Sequence, residues 1–279
     1  MTGEEIPAIL GRADAAAVLP RLGGMARPDG VVIVSEHFWA LATSTGELRE
    51  GEMPSAPRRL RRVPLLRGLA KLASALSPLF RSTGIARPYE RWVLGAALIL
   101  TFVFPLVPIP SRAASLGEVV LTVGLVCWMM RGRTLFLHGA EHRAIAAAEQ
   151  RQLSDTWNGY AKPTRFAARC GTNFAALVLP AAVLLNHFAP RSTASYAPLV
   201  VTLLALALTM ELWRYIQSGR RWTRVLLLPG FAVQRVTTRE PRLDETQVAL
   251  TALASVVRRE LALGSVSSLV ATMPLPSAA

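Results

Sequence analysis

The sequence is poor in cysteine and in acidic residues. Only two cysteines, Cys127 and Cys170, occur among 279 residues. Two are too few for a disulfide framework, so we expect reduced thiols without a structural role. Asp and Glu number 18 against 31 Lys and Arg, which gives a formal net charge of +13 and a pI near 11.2. A balance this basic suits either nucleic acid or an anionic membrane surface, and the positions of the basic residues must decide.

Several motifs of soluble enzymes are absent. The chain has no glycine-rich phosphate loop, no Gly-x-Gly-x-x-Gly and no recognisable Ser-His-Asp motif, which disfavours nucleotide-driven chemistry. The first twenty residues include Glu4, Glu5 and Asp14 and lack a basic segment followed by an apolar run. No cleaved signal peptide is therefore predicted.

Charged residues are also scarce for a soluble domain. They make up 18% of the chain, against 52% apolar residues, and the mean hydropathy is +0.35. This composition predicts a membrane protein. Four apolar runs approach the roughly 17 residues that cross a bilayer, although Pro180 interrupts the third. Glu118 interrupts the second, and the twelve residues from Val119 onward also suit a buried or re-entrant segment. The predicted transmembrane helices are Trp92–Val107, Leu116–Met130, Phe174–Phe188 and Tyr196–Trp213.

The basic residues are segregated along the chain. Thirteen of the 31 precede Trp92, seven lie between Arg131 and Arg169, and nine follow Trp213. The two expected outer loops hold only Arg112 and Arg191. By the positive-inside rule, this distribution predicts a multi-pass protein of the cytoplasmic (inner) membrane with both termini in the cytoplasm. It also makes sequence-specific nucleic-acid binding unlikely as the reason for the basic charge.

We expect small segments outside the membrane at both ends. Residues 1–91 contain β-branched and aromatic runs over Gly30–Met53, which indicate an antiparallel β meander. A basic linker and an amphipathic helix to about Phe80 follow; this helix suits anionic lipid headgroups, or else it packs on the protein itself. Residues 92–213 form the membrane region, 214–264 a C-terminal helical segment and 265–279 a disordered tail. The predicted fold is thus mainly α, a polytopic membrane protein with about four transmembrane helices.

The segment His138-Gly139-Ala140-Glu141-His142 carries the strongest chemical signal. Residues four apart on a helix lie about 40° apart around its axis, so His138 and His142 can reach one ion. His-x-x-Glu-His is the inverted zincin pattern, in which two imidazoles bind zinc and the carboxylate, here Glu141, activates water. The alternative is a helix that leaves the bilayer with two hydrogen-bonded histidines.

Several stretches resemble the YqhQ-like family of bacterial membrane proteins, a domain of unknown function described as a predicted metal-dependent enzyme. The residues that carry the resemblance are Gly23-Gly24, Pro64–Gly68, His138–His142, Glu149, Arg169–Phe174, Glu211, Pro229–Gln234 and Thr237–Pro241. The chain departs from the family pattern at Ala167-Ala168, where His-Pro usually stands before the Arg-Cys-Gly-Thr motif. A polar candidate ligand of the family is therefore missing here.

A third metal ligand has to come from another segment. In one helix over 127–149, Glu149 shares the histidine stripe but lies about 10 Å from His142 along the axis. Cys170 is the first candidate, because a thiolate suits zinc and the amides of the helix starting at Gly171-Thr172 would lower its pKa. A small buried cysteine at a glycine turn is the alternative. Asp155 and Glu240 have only their charge in favour.

Two function classes follow. The first is a metal-dependent hydrolase with a Zn²⁺-type site formed by His138, His142 and Cys170, and with Glu141 as general base. The second is a non-catalytic membrane scaffold or biogenesis factor whose basic face binds lipid, a protein partner or the ribosome. Inside the fourth run, Glu211 is expected to pair with Arg214, one turn along.

Overall fold

The structure is a computed structural model that describes residues 4–55, 57, 59–81, 84–103, 111–188, 197–217 and 221–272. In these residues, four consecutive strands follow the first of ten α-helices, and the other nine α-helices come after the strands. The strands are β1 (Gly23–Ala26), β2 (Gly30–Val34), β3 (Phe38–Thr43) and β4 (Leu48–Glu52). The helices are α1 (Glu5–Ala15), α2 (Leu66–Phe80), α3 (Pro88–Val103), α4 (Ser111–Met129), α5 (Thr134–Gln150), α6 (Leu153–Trp157), α7 (Gly171–Phe188), α8 (Ala197–Ile216), α9 (Leu228–Thr237) and α10 (Leu243–Thr272). Two 3₁₀ segments, Leu60–Arg62 and Arg221–Leu227, precede α2 and α9.

The predicted β meander is confirmed and has one strand more than expected. Its four strands are antiparallel in the order β1-β2-β3-β4. Strand β1 was missed because Gly23-Gly24 reads as a break, whereas here the two glycines pair with Val34 and Ile33 of β2. Gly46, at φ +86°, supplies the left-handed residue of the β3–β4 turn.

Helix α5 lies at the centre of the core. It packs against strands β1 and β2 of the sheet and against α10, which also packs on the sheet, and residues 137–148 are all buried. Alanines on α5 allow close approach to large apolar side chains of the sheet and α10; the cluster includes Ala140, Ala144, Ala147, Val31, Ile33, Leu250, Leu253 and Val257. Segments from both ends of the chain therefore build one core around the helix that carries the histidines.

Helices α7 and α8 form an antiparallel pair beside this core. Phe174, near the start of α7, stacks edge-on against Trp213, near the end of α8, with ring centroids 5.9 Å apart. Helix α9 crosses the base of the pair, where a Cβ on Gly230 would meet the Asn173 side chain at 2.0 Å. The base of the α7–α8 pair thus adjoins the segment that carries Cys170.

The prediction of about four transmembrane helices is wrong. Within the described residues one helix, over Leu199–Ile216 of α8, is long and apolar enough to cross a membrane. The apolar part of α7, Gly171–Leu185, is shorter, and α3 has 16 described residues that include Glu90 and Arg91. At 1.5 Å per residue such helices reach about 24 Å, short of a hydrocarbon core of about 30 Å. The multi-pass topology with cytoplasmic termini loses its basis, and residues 104–107 of the first predicted span lie outside the described ranges.

Two helix predictions also change. Residues 127–149 are not one helix, because α4 ends at Met129 and Gly132, at φ +62°, turns the chain before α5. At the other end, α10 runs to Thr272 rather than stopping near Gly264. Residues 273–279 of the predicted tail lie outside the described part of the chain.

Candidate metal centre

The structure brings His138, His142 and Cys170 together. One ligand atom from each lies within 4.8 Å of the other two, and all three residues are buried. The two imidazoles occupy successive turns of α5, with ring centroids 4.5 Å apart. Cys170 directly precedes α7, so the cluster joins the central helix to the α7–α8 pair.

Backbone carbonyls orient both imidazoles. Nδ1 of His138 lies 2.8 Å from the Thr237 carbonyl, and Nδ1 of His142 lies 2.6 Å from the Arg165 carbonyl. Because a carbonyl oxygen only accepts, each Nδ1 carries the proton and each Nε2 keeps its lone pair. This pairing of an Nδ1–H with a carbonyl is the usual support of a histidine that binds metal through Nε2.

The two Nε2 atoms have different surroundings. Nε2 of His138 lies 3.3 Å from the Cys170 sulfur, close to the roughly 3.5 Å that separates N and S ligands on one tetrahedral zinc ion. Nε2 of His142 is buried and has no hydrogen-bond partner among the described residues. A buried acceptor left unpaired costs about 1–3 kcal/mol, and a cation between the three atoms would satisfy it. The donor set therefore fits a metal of the zinc class.

The Cys170 sulfur accepts hydrogen bonds from Thr172. The Thr172 hydroxyl lies 3.2 Å from the sulfur, and the Thr172 backbone amide lies 3.4 Å from it. These donors favour the thiolate, yet burial and the nearby Glu141 charge prevail and raise the pKa of the thiol to about 11. The helix amides of Thr172 and Asn173 do favour a lower pKa, as expected, but desolvation outweighs them and the net shift is upward.

Glu141 lies outside the three-atom cluster and under strand β1. A Cβ on Gly24 would meet its Cγ at 2.8 Å, so only glycine leaves room for this carboxyl. Burial raises the pKa of Glu141 to about 8, and a hydrogen bond from the Ala26 backbone amide offsets this in part. Glu141 is near enough for its charge to raise the pKa of Cys170.

The same burial keeps both imidazoles neutral. Desolvation lowers the pKa of His138, against a smaller opposing effect of the Thr237 carbonyl. Desolvation, together with the neighbouring His138, lowers the pKa of His142 to about 4. Neutral imidazole is the form that binds a metal ion.

A polar network holds the segment that carries the Arg165 carbonyl and Cys170. The Gln234 side chain, fully buried on α9, bonds both the amide and the carbonyl of Ala167, at 3.0 and 2.8 Å, and Oδ1 of Asn173 at 3.0 Å. Asn173 donates in turn to the carbonyls of Ala167 and Ala168, at 2.9 and 3.0 Å. The network fixes the chain between the Arg165 carbonyl and Cys170.

Arg143 connects α5 to the segments that contain Pro163 and Glu240-Pro241. Its buried guanidinium donates to the carbonyls of Pro163 and Pro241 and pairs with Glu240. The Arg239–Pro241 segment crosses α5 directly at Gly139, where a Cβ would lie 2.1 Å from the Arg239 carbonyl oxygen. These supports were missed at the level of sequence, although most of them fall in the stretches that carry the family resemblance.

The other predicted candidates lie elsewhere. Glu149 pairs with Arg169 at 3.2 Å, Glu240 pairs with Arg143 and Arg165, and Asp155 is exposed on α6. Glu211 does contact Arg214, at 3.4 Å, but its shorter contacts are to Arg67 of α2. None of these four carboxylates belongs to the three-residue cluster.

A cavity of about 190 Å³ lies beside the Cys170 segment. Arg21, Glu149, Arg151 and Arg169 line it together with apolar residues, and the three candidate ligands do not. Its basic lining is mostly engaged already, since Arg151 donates to carbonyls of α1 and of the turn after it and Arg169 pairs with Glu149. We therefore place the chemistry at the buried cluster rather than in this cavity.

A family model described as "Protein of unknown function (DUF1385)" matches residues 114–259, which is just over half of the chain and covers every ligand of the cluster. This chain belongs to that family. The match begins inside α4 and ends inside α10, so it contains α5, Cys170, the α7–α8 pair and Gln234.

A bacterial relative is similar to the chain over most of its length. The chain is 23% identical over 305 aligned positions to the uncharacterized protein YqhQ of Bacillus subtilis (strain 168), covering 87% of this chain and 94% of that protein. The resemblance to a YqhQ-like family of unknown function is thereby confirmed. No solved structure matches the chain.

Proposed function

We propose that this chain binds a transition-metal ion of the zinc class through Nε2 of His138, Nε2 of His142 and Sγ of Cys170. One observation carries the proposal: Nε2 of His142 is buried without a partner among the described residues, within 4.8 Å of two further ligand atoms. The fixed Nδ1–H groups support it, because they orient both lone pairs away from the carbonyls.

Three protein ligands are typical of a catalytic zinc site, which keeps a fourth position for water or substrate. Such a metal supplies Lewis acidity and makes water more acidic. The carboxyl of Glu141 is then the group that accepts a proton, since the charge of a nearby cation would lower its pKa from the metal-free value of about 8 and favour the carboxylate. The resulting activity is a metal-dependent hydrolysis with Glu141 as general base.

Burial of the cluster supports a second candidate, a structural metal in a non-catalytic scaffold. His142 is 1% exposed and Cys170 is 8% exposed, which leaves little surface for a substrate. In this case the metal ties α5 to the start of α7 and completes a platform whose partners are lipid, protein or the ribosome.

Metal content measured by elemental analysis tests the binding itself. We expect one equivalent of metal in the purified chain and at least a tenfold loss in His138→Ala, His142→Ala and Cys170→Ser. His37→Ala and Cys127→Ser are the matched controls, because His37 pairs with Glu260 and Cys127 is exposed, so both should keep the metal. Equal metal content in all five variants would refute the site.

Glu141→Gln separates the two candidates. As a general base, Glu141 is needed for hydrolysis of chromogenic esters or phosphoesters, and its loss should lower the rate by about 100-fold or more while the metal is retained. In a scaffold the wild-type chain shows no hydrolysis, and chelation lowers its thermal midpoint instead.

A further inference from the structure

Helix α2 presents an apolar stripe that nothing in the described structure covers. Residues 66, 69, 73, 76 and 80 fall on one side of the helix at helical spacing, and all are apolar. Leu66, Leu76 and Phe80 are 46%, 43% and 42% exposed. Three large side chains in one row on a surface helix mark an interaction site rather than scattered surface residues.

The start of α2 is attached to α8, the helix long enough to cross a membrane. The Glu211 carboxylate accepts two hydrogen bonds from Arg67, at 2.6 and 2.7 Å, and one from the Leu65 backbone amide at 3.3 Å. Leu65 has φ +67°, a strained conformation for leucine that the carboxylate helps to hold. Gly68 lies so close to Met210 that a Cβ would approach it to 2.6 Å.

This attachment fixes the level of α2 relative to a bilayer. Glu211 and Met210 lie within about two turns of the C-terminal end of α8, on the same end as the Phe174–Trp213 contact. That end adjoins the core, so a membrane-embedded α8 leaves α2 at the surface of the near leaflet. Trp92, 80% exposed at the start of α3, is a residue type enriched at that level.

Charge identifies the kind of surface. From Pro54 to Tyr89 the chain has eight Lys and Arg and no Asp or Glu. Of these, Arg59 and Arg62 are exposed before the stripe, Arg81 is exposed after it, and Lys71 is exposed on the opposite side of the helix. A basic helix with an apolar face suits an anionic bilayer, whereas nucleic acid needs the charge and not the apolar row.

We propose that α2 lies in the plane of an anionic bilayer surface, with its stripe in the boundary between headgroups and acyl chains. The basic residues at its ends contact the headgroups, and the Arg67–Glu211 pair holds the helix at the base of α8. This proposal is independent of the metal site.

A label on each side of α2 tests the orientation in the full chain. Ala73→Cys lies on the stripe and Lys71→Cys about half a turn away, and both positions are exposed. Cys127→Ser serves as background, and labelling of the buried Cys170 is measured in that background and subtracted. Each variant is labelled with an environment-sensitive fluorophore at the introduced cysteine. It is reconstituted in phosphatidylcholine vesicles with or without phosphatidylglycerol, and a fraction of the lipids in these vesicles carries a nitroxide quencher.

We expect lipid quenching of the Ala73→Cys label to exceed that of the Lys71→Cys label by roughly threefold or more, and to be stronger with phosphatidylglycerol. Leu76→Cys, a second stripe position, should behave like Ala73→Cys. Equal lipid quenching of the Ala73→Cys and Lys71→Cys labels overturns the proposed orientation. Equal quenching of the stripe label in vesicles with and without phosphatidylglycerol overturns the proposed preference for anionic lipid. A stripe label that is shielded from aqueous iodide but not quenched by lipid, or shielded only after addition of RNA or ribosomes, overturns the bilayer in favour of another partner.

Discussion

At the scale of single residues, the cluster is defined by how its histidines are held. Two side chains four apart on a helix can meet for many reasons, but here each Nδ1–H is bonded to a carbonyl from a different segment, the end of α9 for His138 and the loop before α7 for His142. Both lone pairs are thereby directed to one place, beside a thiol. A cation at that place would satisfy the buried Nε2 of His142, which has no hydrogen-bond partner among the described residues.

Glu141 should destabilise the metal-free chain above mildly acidic pH. Its pKa is about 8 in the folded chain against an ordinary value of 4.5, so the folded state keeps a proton that the unfolded state releases. This effect is absent below about pH 4.5, and stability falls by up to about 1.4 kcal/mol per pH unit as the pH rises toward 8. Glu141→Gln should therefore raise the thermal midpoint in chelator much more at pH 8 than at pH 5. The same difference at both pH values would contradict the buried carboxyl.

Gln234 should act on the metal through the segment it holds. Gln234→Ala removes the bonds to Ala167 and Asn173, which frees the chain between the Arg165 carbonyl and Cys170. Loss of such outer support lowers metal affinity by about 10–100-fold, measurable by competition with a chromogenic chelator. Gln247→Ala is the matched control, since Gln247 bonds the Trp157 carbonyl instead. A similar fall in both variants would indicate general destabilisation.

The sequence predicted the members of this cluster better than their surroundings. The i, i+4 spacing and the metal preference of thiolate sufficed to select His138, His142 and Cys170. The carbonyls of Thr237 and Arg165 left no trace in the sequence, because any residue type offers a carbonyl. The pKa of Cys170 was predicted in the wrong direction, since local helix amides are visible in a sequence and burial is not.

At the scale of elements, α5 depends on a crossing that admits no side chain. At Gly139 the Arg239 carbonyl approaches so closely that a Cβ would lie 2.1 Å away, and backbone cannot give way as a flexible side chain can. Gly139→Ala should lower stability by about 1–3 kcal/mol or more, the usual cost of overpacking. Gly95→Ala, in α3 with open space around it, should be neutral or stabilising by up to about 1 kcal/mol. Thermal midpoints of the two variants check this, and a tolerated Gly139→Ala would refute the close crossing.

The membrane prediction failed at this scale for a physical reason. Apolar composition was read correctly along α3, α4 and α7, but hydropathy does not measure the uninterrupted length of a helix. Polar residues at the ends of α3 and α7 shorten their apolar parts, and α8 alone among the described helices combines the required length with sufficient apolar composition. The β meander was predictable because alternation and turn residues are local signals.

At the scale of the whole molecule, the shared core determines that the segments before and after α8 lie on the same side of a membrane. The sheet and α5 come before α8, and α10 comes after it, yet all three share one apolar cluster. Both parts therefore lie on one side of any membrane that α8 enters. Helix α7 runs away from the core, and α8 packs antiparallel to it and returns the chain to the core.

Cys170 stands where this helix pair leaves the core, so a bound metal would tie the two bodies together. Removing it should loosen the start of α7 and leave the core intact, because α5, α10 and the sheet are held by apolar packing. Hydrogen exchange of the reconstituted chain should rise at residues 171–175 after chelation or in His142→Ala, with no rise in α10. His37→Ala, away from the cluster, should exchange like the wild type. An equal rise in α10 would mean that the metal supports the whole core, and no change at residues 171–175 would mean that the Gln234–Asn173 network holds α7 without it.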